Sequence, residues 1–166
     1  MTETIPLKVE FASCPVEASL GVLGRKWALL ILRDIALFQA QRFNEMLRTT
    51  PGMSKRVLSR RLMELEKGGF IFREEQRLKY TRWQLTEKGR DVLPVLLTLV
   101  RLGAKWYPQK VFSDRQPRAL NAIFDKAYVQ RTLGELSKEG RTSRRARTSP
   151  LTTPSSLPAG DAGLTA

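Results

Sequence analysis

The sequence predicts a mainly α-helical domain that carries one small β-hairpin. Apolar residues recur at helical spacing through most of residues 14–107. The stretch 70–85 differs, because aromatic and β-branched residues alternate there with charged ones, as they do in strands. Glycine and proline stand between these segments, where turns are expected. With 42% hydrophobic residues in a chain of 166, there is enough apolar surface for one core and length to spare.

The N-terminal part of the chain predicts an arm followed by two helices. Residues 1–13 are weakly patterned and are expected to form the arm. A first helix begins after Pro15, which suits a first-turn position, and Gly24 predicts a break at its end. A second helix is predicted over 25–37. Its expected buried side consists of Trp27, Leu30, Ile31 and Ile35.

The next segment predicts a short helix, a tight turn and a longer helix. Apolar residues have helical spacing over 42–48, and residues 50–53 have the composition of a turn. Ser54 is a good N-cap, because its hydroxyl can accept from a backbone N–H of the first turn. The helix that it opens runs to about residue 67, with Leu58, Leu62 and Leu65 as the apolar stripe. This order is typical of a helix-turn-helix.

A hairpin and a strongly apolar helix follow. The strands are predicted over about 70–75 and 80–85. Thr86 is the expected N-cap of a helix over 86–106, and Pro94 is expected to kink it. This helix is apolar around much of its circumference and needs a partner, either a second copy of the chain or another part of the same chain. The residues expected at an interface between two copies are Leu20, Leu93, Leu96, Leu97, Val100 and Trp106.

The C-terminal third of the chain has a different composition. Residues 108–136 predict a helical extension of the 14–107 domain, with one more helix within 117–136. Residues 137–166 are rich in Ser, Thr, Pro and Arg, and they have too little apolar surface to offset the entropy of ordering. We therefore expect a disordered basic tail.

The charge balance points to a polyanionic partner. The net charge is +13 and the isoelectric point is near 10.6. Double-stranded DNA is the partner that this balance fits best, an anionic membrane surface fits it less well, and an ordinary basic surface is the plain alternative. No segment predicts a transmembrane helix or a signal peptide, so a cytoplasmic, nucleoid-associated protein is expected.

The residue types speak against an enzyme or a metalloprotein. The chain has one cysteine and no histidine, which excludes an intramolecular disulfide framework and zinc sites built from Cys and His. The commonest general acid–base residue is absent, and there is no glycine-rich phosphate loop. We expect no catalytic activity, no metal and no cofactor.

The predicted order of elements is that of a winged helix-turn-helix with a dimerisation helix appended. If the leucine stripe of the 54–67 helix faces the core, its other face is basic in the N-terminal half. Such a face suits the major groove, where arginine can reach guanine O6 and N7. The hairpin would be the wing. The expected DNA-contacting residues are Arg42, Ser54, Lys55, Arg56, Ser59, Arg60, Arg73, Arg77 and Lys79.

The chain also resembles the HxlR family of bacterial and archaeal regulators, which are relatives of the MarR group. The matching segments are Cys14-Pro15-Val16-Glu17, Leu23-Gly24-Arg25-Lys26-Trp27, Leu30-Ile31-Leu32-Arg33, Arg42-Phe43-Asn44-Glu45, Pro51-Gly52-Met53-Ser54, Val57-Leu58, Leu62-Met63-Glu64-Leu65-Glu66 and Leu85-Thr86-Glu87-Lys88-Gly89-Arg90. The resemblance covers about residues 12–107. It implies a homodimer whose two recognition helices read a pseudo-palindromic operator, with N- and C-terminal dimerisation helices building the interface. The hairpin is a few residues shorter than is usual for the family, and residues beyond about 112 have no counterpart.

Two questions stay open at the level of the sequence. Cys14 matches a cysteine that some family members use to sense oxidants or electrophiles, and a helix N-terminus favours a thiolate. An incidental thiol is the alternative. A sequence-specific regulator, which could act as a repressor, is the first functional hypothesis. A non-specific architectural DNA-binding protein is the second, because of the +13 charge and the arginine-rich tail.

Overall fold

The computed structural model describes residues 11–75 and 81–135. The predictions for the start of the arm, for Arg77 and Lys79 at the hairpin tip and for the 137–166 tail lie outside the described residues. The described elements are α1 Pro15–Leu23, α2 Ala28–Leu37, α3 Phe43–Thr49, α4 Lys55–Lys67, β1 Ile71–Glu75, β2 Thr81–Leu85, α5 Glu87–Arg90, α6 Leu93–Trp106, α7 Pro108–Val111, α8 Leu120–Ile123 and α9 Lys126–Glu135. The expectation of a mainly α-helical fold with one hairpin is confirmed.

The break between the first two helices is wider than predicted. α1 ends at Leu23, and the Gly24 amide donates to the Leu20 carbonyl at 2.9 Å. α2 begins at Ala28 rather than at residue 25, because Trp27 has a φ of 80° and lies in the left-handed region. The Trp27 side chain packs against the core from its edge, as expected of a core anchor.

The main core joins α2, α3, α4, the hairpin and the start of α6. The predicted stripe of α4 is fully buried there, which fixes the rotation of that helix about its own axis. The most deeply buried large apolar side chains of this core are Ile31, Leu32, Met46, Leu58, Leu62, Leu65 and Ile71.

The hairpin is antiparallel and pairs Ile71 with Leu85 and Arg73 with Trp83. Trp83 is buried in the main core, and its backbone amide donates to the Gln41 carbonyl at 2.9 Å. The hairpin is therefore attached both to the core and to the loop before α3.

The predicted 86–106 helix is two helices, which corrects the expectation of a single kinked one. Thr86 caps α5 as predicted, since its hydroxyl oxygen accepts from the Gly89 amide at 3.0 Å. The chain turns at Asp91 and Val92, and α6 starts afresh at Leu93. Pro94 therefore lies in a first turn, where its missing N–H leaves no helix hydrogen bond unmade.

The segment after α6 folds back onto it. Leu97 of α6, Leu120 of α8 and Val129 of α9 form a second apolar cluster. The one helix expected within 117–136 is divided, because Phe124 is extended and the Asp125 carboxylate accepts from the Tyr128 amide at 3.0 Å to start α9. Within the described ranges, no helix has the length and apolar character to cross a membrane.

Candidate nucleic-acid interface

The outward face of α4 carries the cations that the sequence predicted there. Because Leu58, Leu62 and Leu65 point inward, the outward side of the helix carries Arg56, Ser59, Arg60 and Met63, and Lys55 lies nearer its edge in the first turn. All five are exposed. This face is a convex basic surface on a 13-residue helix, which is the shape and charge that a major groove accepts.

Ser54 caps the N-terminus of α4. Its backbone is extended, and its hydroxyl oxygen accepts from the Val57 amide at 3.3 Å, as predicted for an N-cap. The other amides of the first turn have no partner within the helix. A helix start of this kind is where a backbone phosphate binds best.

In the C-terminal half of the same helix, the carboxylate of Glu64 pairs with two arginines. Glu64 accepts from Arg60 Nε at 3.0 Å and from the Arg61 guanidinium on its other oxygen. Arg61 also donates to the Lys26 carbonyl at 3.0 Å, which ties α4 to the loop before α2. The contact with Arg61, followed by that with Arg60, lowers the pKa of Glu64. Arg60, with its side chain 71% exposed, therefore has a partner before any DNA approaches.

A buried carboxylate holds the turn in front of α4, and sequence reasoning missed it. Asp34 of α2 is completely buried. One oxygen accepts from the Arg33 guanidinium at 2.6 and 3.1 Å, and the other accepts from the Thr49 and Thr50 hydroxyls at 2.7 and 2.8 Å. A charged residue among apolar ones in a helix was the available signal. The cluster fixes the end of α3 relative to α2.

Arg42 stands at the start of α3 with its side chain exposed. Glu45 reaches back to this end of the helix, where one oxygen accepts from the Gln41 and Arg42 amides at 3.0 and 2.9 Å. Its other oxygen lies 4.0 Å from Arg42 Nε. Arg42 is thus at the surface, at the start of the short helix.

The hairpin and the N-terminal helix contribute two more predicted residues. Arg73 is exposed on β1. Cys14 is exposed at the N-cap position of α1, so its thiol lies at a helix N-terminus as expected.

The residues expected at a dimer interface fall into two groups. Leu20 and Trp106 are exposed, and Leu93 and Val100 are half-buried. Leu96 and Leu97 do not reach the surface, which corrects their assignment. Leu96 belongs to the main core, and Leu97 is covered by α8 and α9 of the same chain.

A second apolar stripe on α6 is exposed instead. Val95, Leu99, Leu102 and Trp106 are between 44% and 62% exposed and follow i, i+4, i+7, i+11 spacing. This spacing keeps four large side chains on one face of a helix. The sequence contained this signal, but it was hidden because α6 is apolar on its buried side as well.

The fold and the basic helix face together define a winged helix-turn-helix regulator. Profile comparison matches residues 22–111 to the HxlR-like helix-turn-helix family, and the chain belongs to that family. It is therefore a DNA-binding transcriptional regulator of the HxlR and MarR type, as the resemblance of its motifs predicted. Among the described residues, no three His, Cys, Asp or Glu side chains are grouped so that they could hold a metal.

Individual relatives agree with this assignment. An uncharacterized HTH-type transcriptional regulator of Synechocystis is 36% identical over 103 residues, which are 58% of this chain and 73% of the relative. The regulator YdeP of Bacillus subtilis is 36% identical over 99 residues, covering 58% and 77%. The crystal structure of PA1607, a putative transcription factor, is similar with a TM-score of 0.54 and 33% identity, covering 58% of this chain and 67% of that one.

Proposed function

We propose that this protein is a sequence-specific regulator that binds a pseudo-palindromic operator as a homodimer, with α4 in the major groove and the hairpin as the wing. The observation that carries the proposal is the outward face of α4. Its rotation is set by three buried leucines, its first turn is capped by Ser54, and its exposed side presents Arg56 and Arg60. In a cell such a protein would be associated with the nucleoid.

The test is operator binding by variants of that face. Mapping of binding sites across the genome gives the operator, and fluorescence anisotropy at physiological salt gives the affinity. Arg56→Ala and Arg60→Ala should each weaken specific binding by about 1–3 kcal/mol, because each removes an arginine from base edges. Arg131→Ala on α9 is the matched control, since Arg131 is also exposed but lies on the extension. Unchanged affinity of the Arg56→Ala/Arg60→Ala double variant would contradict the proposal.

The same measurement separates the two functional hypotheses. A specific regulator binds its operator far more tightly than an unrelated duplex at the same salt concentration. An architectural protein, which the net charge of +13 would also suit, binds both alike and with the same dependence on salt. Equal affinity for operator and random DNA would therefore replace the first hypothesis by the second.

The homodimer is supported by the exposed stripe on α6. Four large apolar side chains on one helix face are costly in water, and a second copy of the same stripe is a self-complementary cover. α1 adds Val16 and Leu20, which are exposed at i, i+4 spacing. In the chain, these two helices flank the helix-turn-helix and the hairpin.

Sedimentation velocity tests the dimer. The wild-type chain of 18.9 kDa should sediment as two copies, and the double variant Leu99→Lys/Leu102→Lys as one. Gln130→Lys is the control, because Gln130 is exposed on α9 and not on α6. A monomeric wild type, or a dimer that tolerates both lysines, would rule this interface out.

Regulation through Cys14 is a further part of the proposal. It is supported by the exposure of this thiol at the start of a helix. In a dimer, two Cys14 thiols can join as one disulfide, with two electrons and two protons passing to an oxidant such as diamide. Diamide should then change operator affinity in the wild type and have no effect on Cys14→Ser. Equal loss in both proteins eliminates the thiol sensor.

A further inference from the structure

A groove beside α6 is lined by residues that the DNA-binding proposal does not use. It has a volume of about 330 Å³ and lies between α6 and the segment that leads into α8. Its lining residues are Arg101, Lys105, Pro117, Arg118, Ala119 and Leu120. The size is within the range of pockets that hold small organic molecules.

One of the three cations in the groove is already neutralised. The Arg118 guanidinium donates to both oxygens of Asp114, at 3.0 and 2.6 Å, and its central carbon lies 4.2 Å from the centre of the Phe112 ring. This contact lowers the pKa of Asp114, so the carboxyl group stays ionised at neutral pH. The Arg118 amide donates to the Ala104 carbonyl of α6 at 3.4 Å. Arg118 is therefore a fixed wall of the groove.

The other two cations of the groove have no ion-pair partner among the described residues. Arg101 and Lys105 are four residues apart on α6, so their side chains leave the helix on the same side. Within the described part of the chain, no carboxylate lies within 4.0 Å of either one. The ammonium group of Lys105 lies 4.8 Å from the centre of the Trp106 ring. This contact does not neutralise its charge.

The remaining lining is apolar. Leu120 is 7% exposed and belongs to the cluster under α6, while Pro117 and Ala119 form the edge. Two unpaired cations beside an apolar floor recognise one kind of small molecule, an organic anion whose acid group meets the cations and whose body covers the floor.

We propose that this groove binds a small amphipathic anion, such as an aromatic or short aliphatic carboxylate. The acid group accepts hydrogen bonds from the Arg101 guanidinium and the Lys105 ammonium. The apolar body lies on Leu120 and Pro117. The bound molecule would hold α6 and the extension together at a place where the family match, which ends at residue 111, supplies only one of the two walls.

Calorimetry of the full chain without DNA tests the site, so its result is independent of operator binding. The probes are 2-naphthoate and its uncharged analogue 2-naphthamide. One equivalent of 2-naphthoate should bind, and the amide should bind at least about tenfold more weakly because it offers no charge to the two cations. Absence of heat with millimolar 2-naphthoate, or equal affinity for both probes, would overturn the proposal.

Variants assign the binding to this groove. Arg101→Gln/Lys105→Gln should reduce the affinity for 2-naphthoate about tenfold or more. Lys110→Gln is the matched control and should leave it unchanged, because Lys110 is exposed on α7 and does not line the groove. Circular dichroism should give the wild-type spectrum for the double variant, since both residues are exposed. If the double variant binds 2-naphthoate normally but loses affinity for DNA, the surface is a phosphate contact and the proposal is wrong.

Discussion

Asp34 connects two helices through a charge rather than through apolar packing. Its carboxylate is completely buried and accepts four hydrogen bonds, from Arg33, Thr49 and Thr50. Burial of a charge is tolerated only when its oxygen atoms are satisfied in this way. The two threonines end α3, a few residues before the cap of α4. One side chain of α2 therefore holds the end of α3, from which the turn leads into α4.

Removal of this carboxylate should be costly. Asp34→Ala removes the carboxylate that a guanidinium and two hydroxyl groups share, and we expect it to lower the free energy of unfolding by about 3 kcal/mol. Urea denaturation measures this. Asp91→Ala is the control, because Asp91 is exposed, and it should change stability by less than about 0.5 kcal/mol. Equal stability of the two variants would mean that the cluster contributes little.

Glu64 restrains the basic face of α4, and its removal should strengthen DNA binding. Glu64→Gln removes the ion pair with Arg60 and a negative charge from the surface that faces phosphates in the proposed complex. We expect the affinity for DNA to rise about two- to tenfold at physiological salt, measured by fluorescence anisotropy. Glu87→Gln on α5 changes the net charge equally and should have little effect. A weaker complex in Glu64→Gln would instead mean that Glu64 positions Arg60 for the DNA.

The pKa of Glu64 determines how this contact responds to pH. The lowered pKa means that the ion pairs with Arg61 and Arg60 stabilise the fold above the unfolded pKa and are lost as pH falls through the lower folded value. That range lies below the ordinary value of 4.5. Between pH 6 and 8 the carboxylate stays charged, so this group gives operator affinity no pH dependence.

At the scale of elements, the hairpin and α5 are joined at a close backbone contact. The Thr86 hydroxyl donates to the Gly69 carbonyl at 2.6 Å and accepts from Gly89, while the Thr86 amide donates to the Phe70 carbonyl at 3.1 Å. A Cβ at Gly89 would collide with the Phe70 carbonyl oxygen. The absence of a side chain at Gly89 allows α5 to sit against the start of β1.

Gly89→Ala should therefore separate these elements. We expect a loss of at least about 2 kcal/mol in the free energy of unfolding, because backbone rather than a flexible side chain is in the way. Chemical denaturation gives the value. Gly134→Ala in α9 has open space around it and should change stability by less than about 1 kcal/mol. A Gly89→Ala protein as stable as this control would show that α5 can shift at no cost.

The elements that sequence reasoning found are those with local signals. Ser54, the leucine stripe and the terminal glycines delimit α4, and alternation delimits the two strands within a residue or so. The left-handed Trp27 and the break before α6 were missed because packing, not propensity, determines them. The sequence also could not show which face of α6 is buried, since Leu97 and Leu99 are both leucines in an apolar stretch. The covering helices come from more than twenty residues further along the chain.

At the scale of the whole molecule, the extension adds a second core to the DNA-binding unit. Leu97 lies at its centre and is fully buried, whereas Leu99, two residues on, is 44% exposed. Leu97→Ala should lower the free energy of unfolding by about 3 kcal/mol through the cavity that it leaves. Leu99→Ala should affect the stability of a dilute monomer by less than about 1 kcal/mol. Denaturation at low protein concentration distinguishes them, and equal losses would place the second core elsewhere.

α1 has no buried residue, although it is a regular helix of nine residues. A helix of that length is only marginally stable in water without a tertiary partner. Val22 and Leu23 at its C-terminal end pack against the main core, whereas Val16 and Leu20 are exposed in the monomer. The order of the first turns of α1 therefore depends on what covers Val16 and Leu20, which in the proposed dimer is a second copy. The helical content of the N-terminal segment should then increase with protein concentration. In a cell, the fraction of chains with a folded α1 would therefore depend on the concentration of the protein.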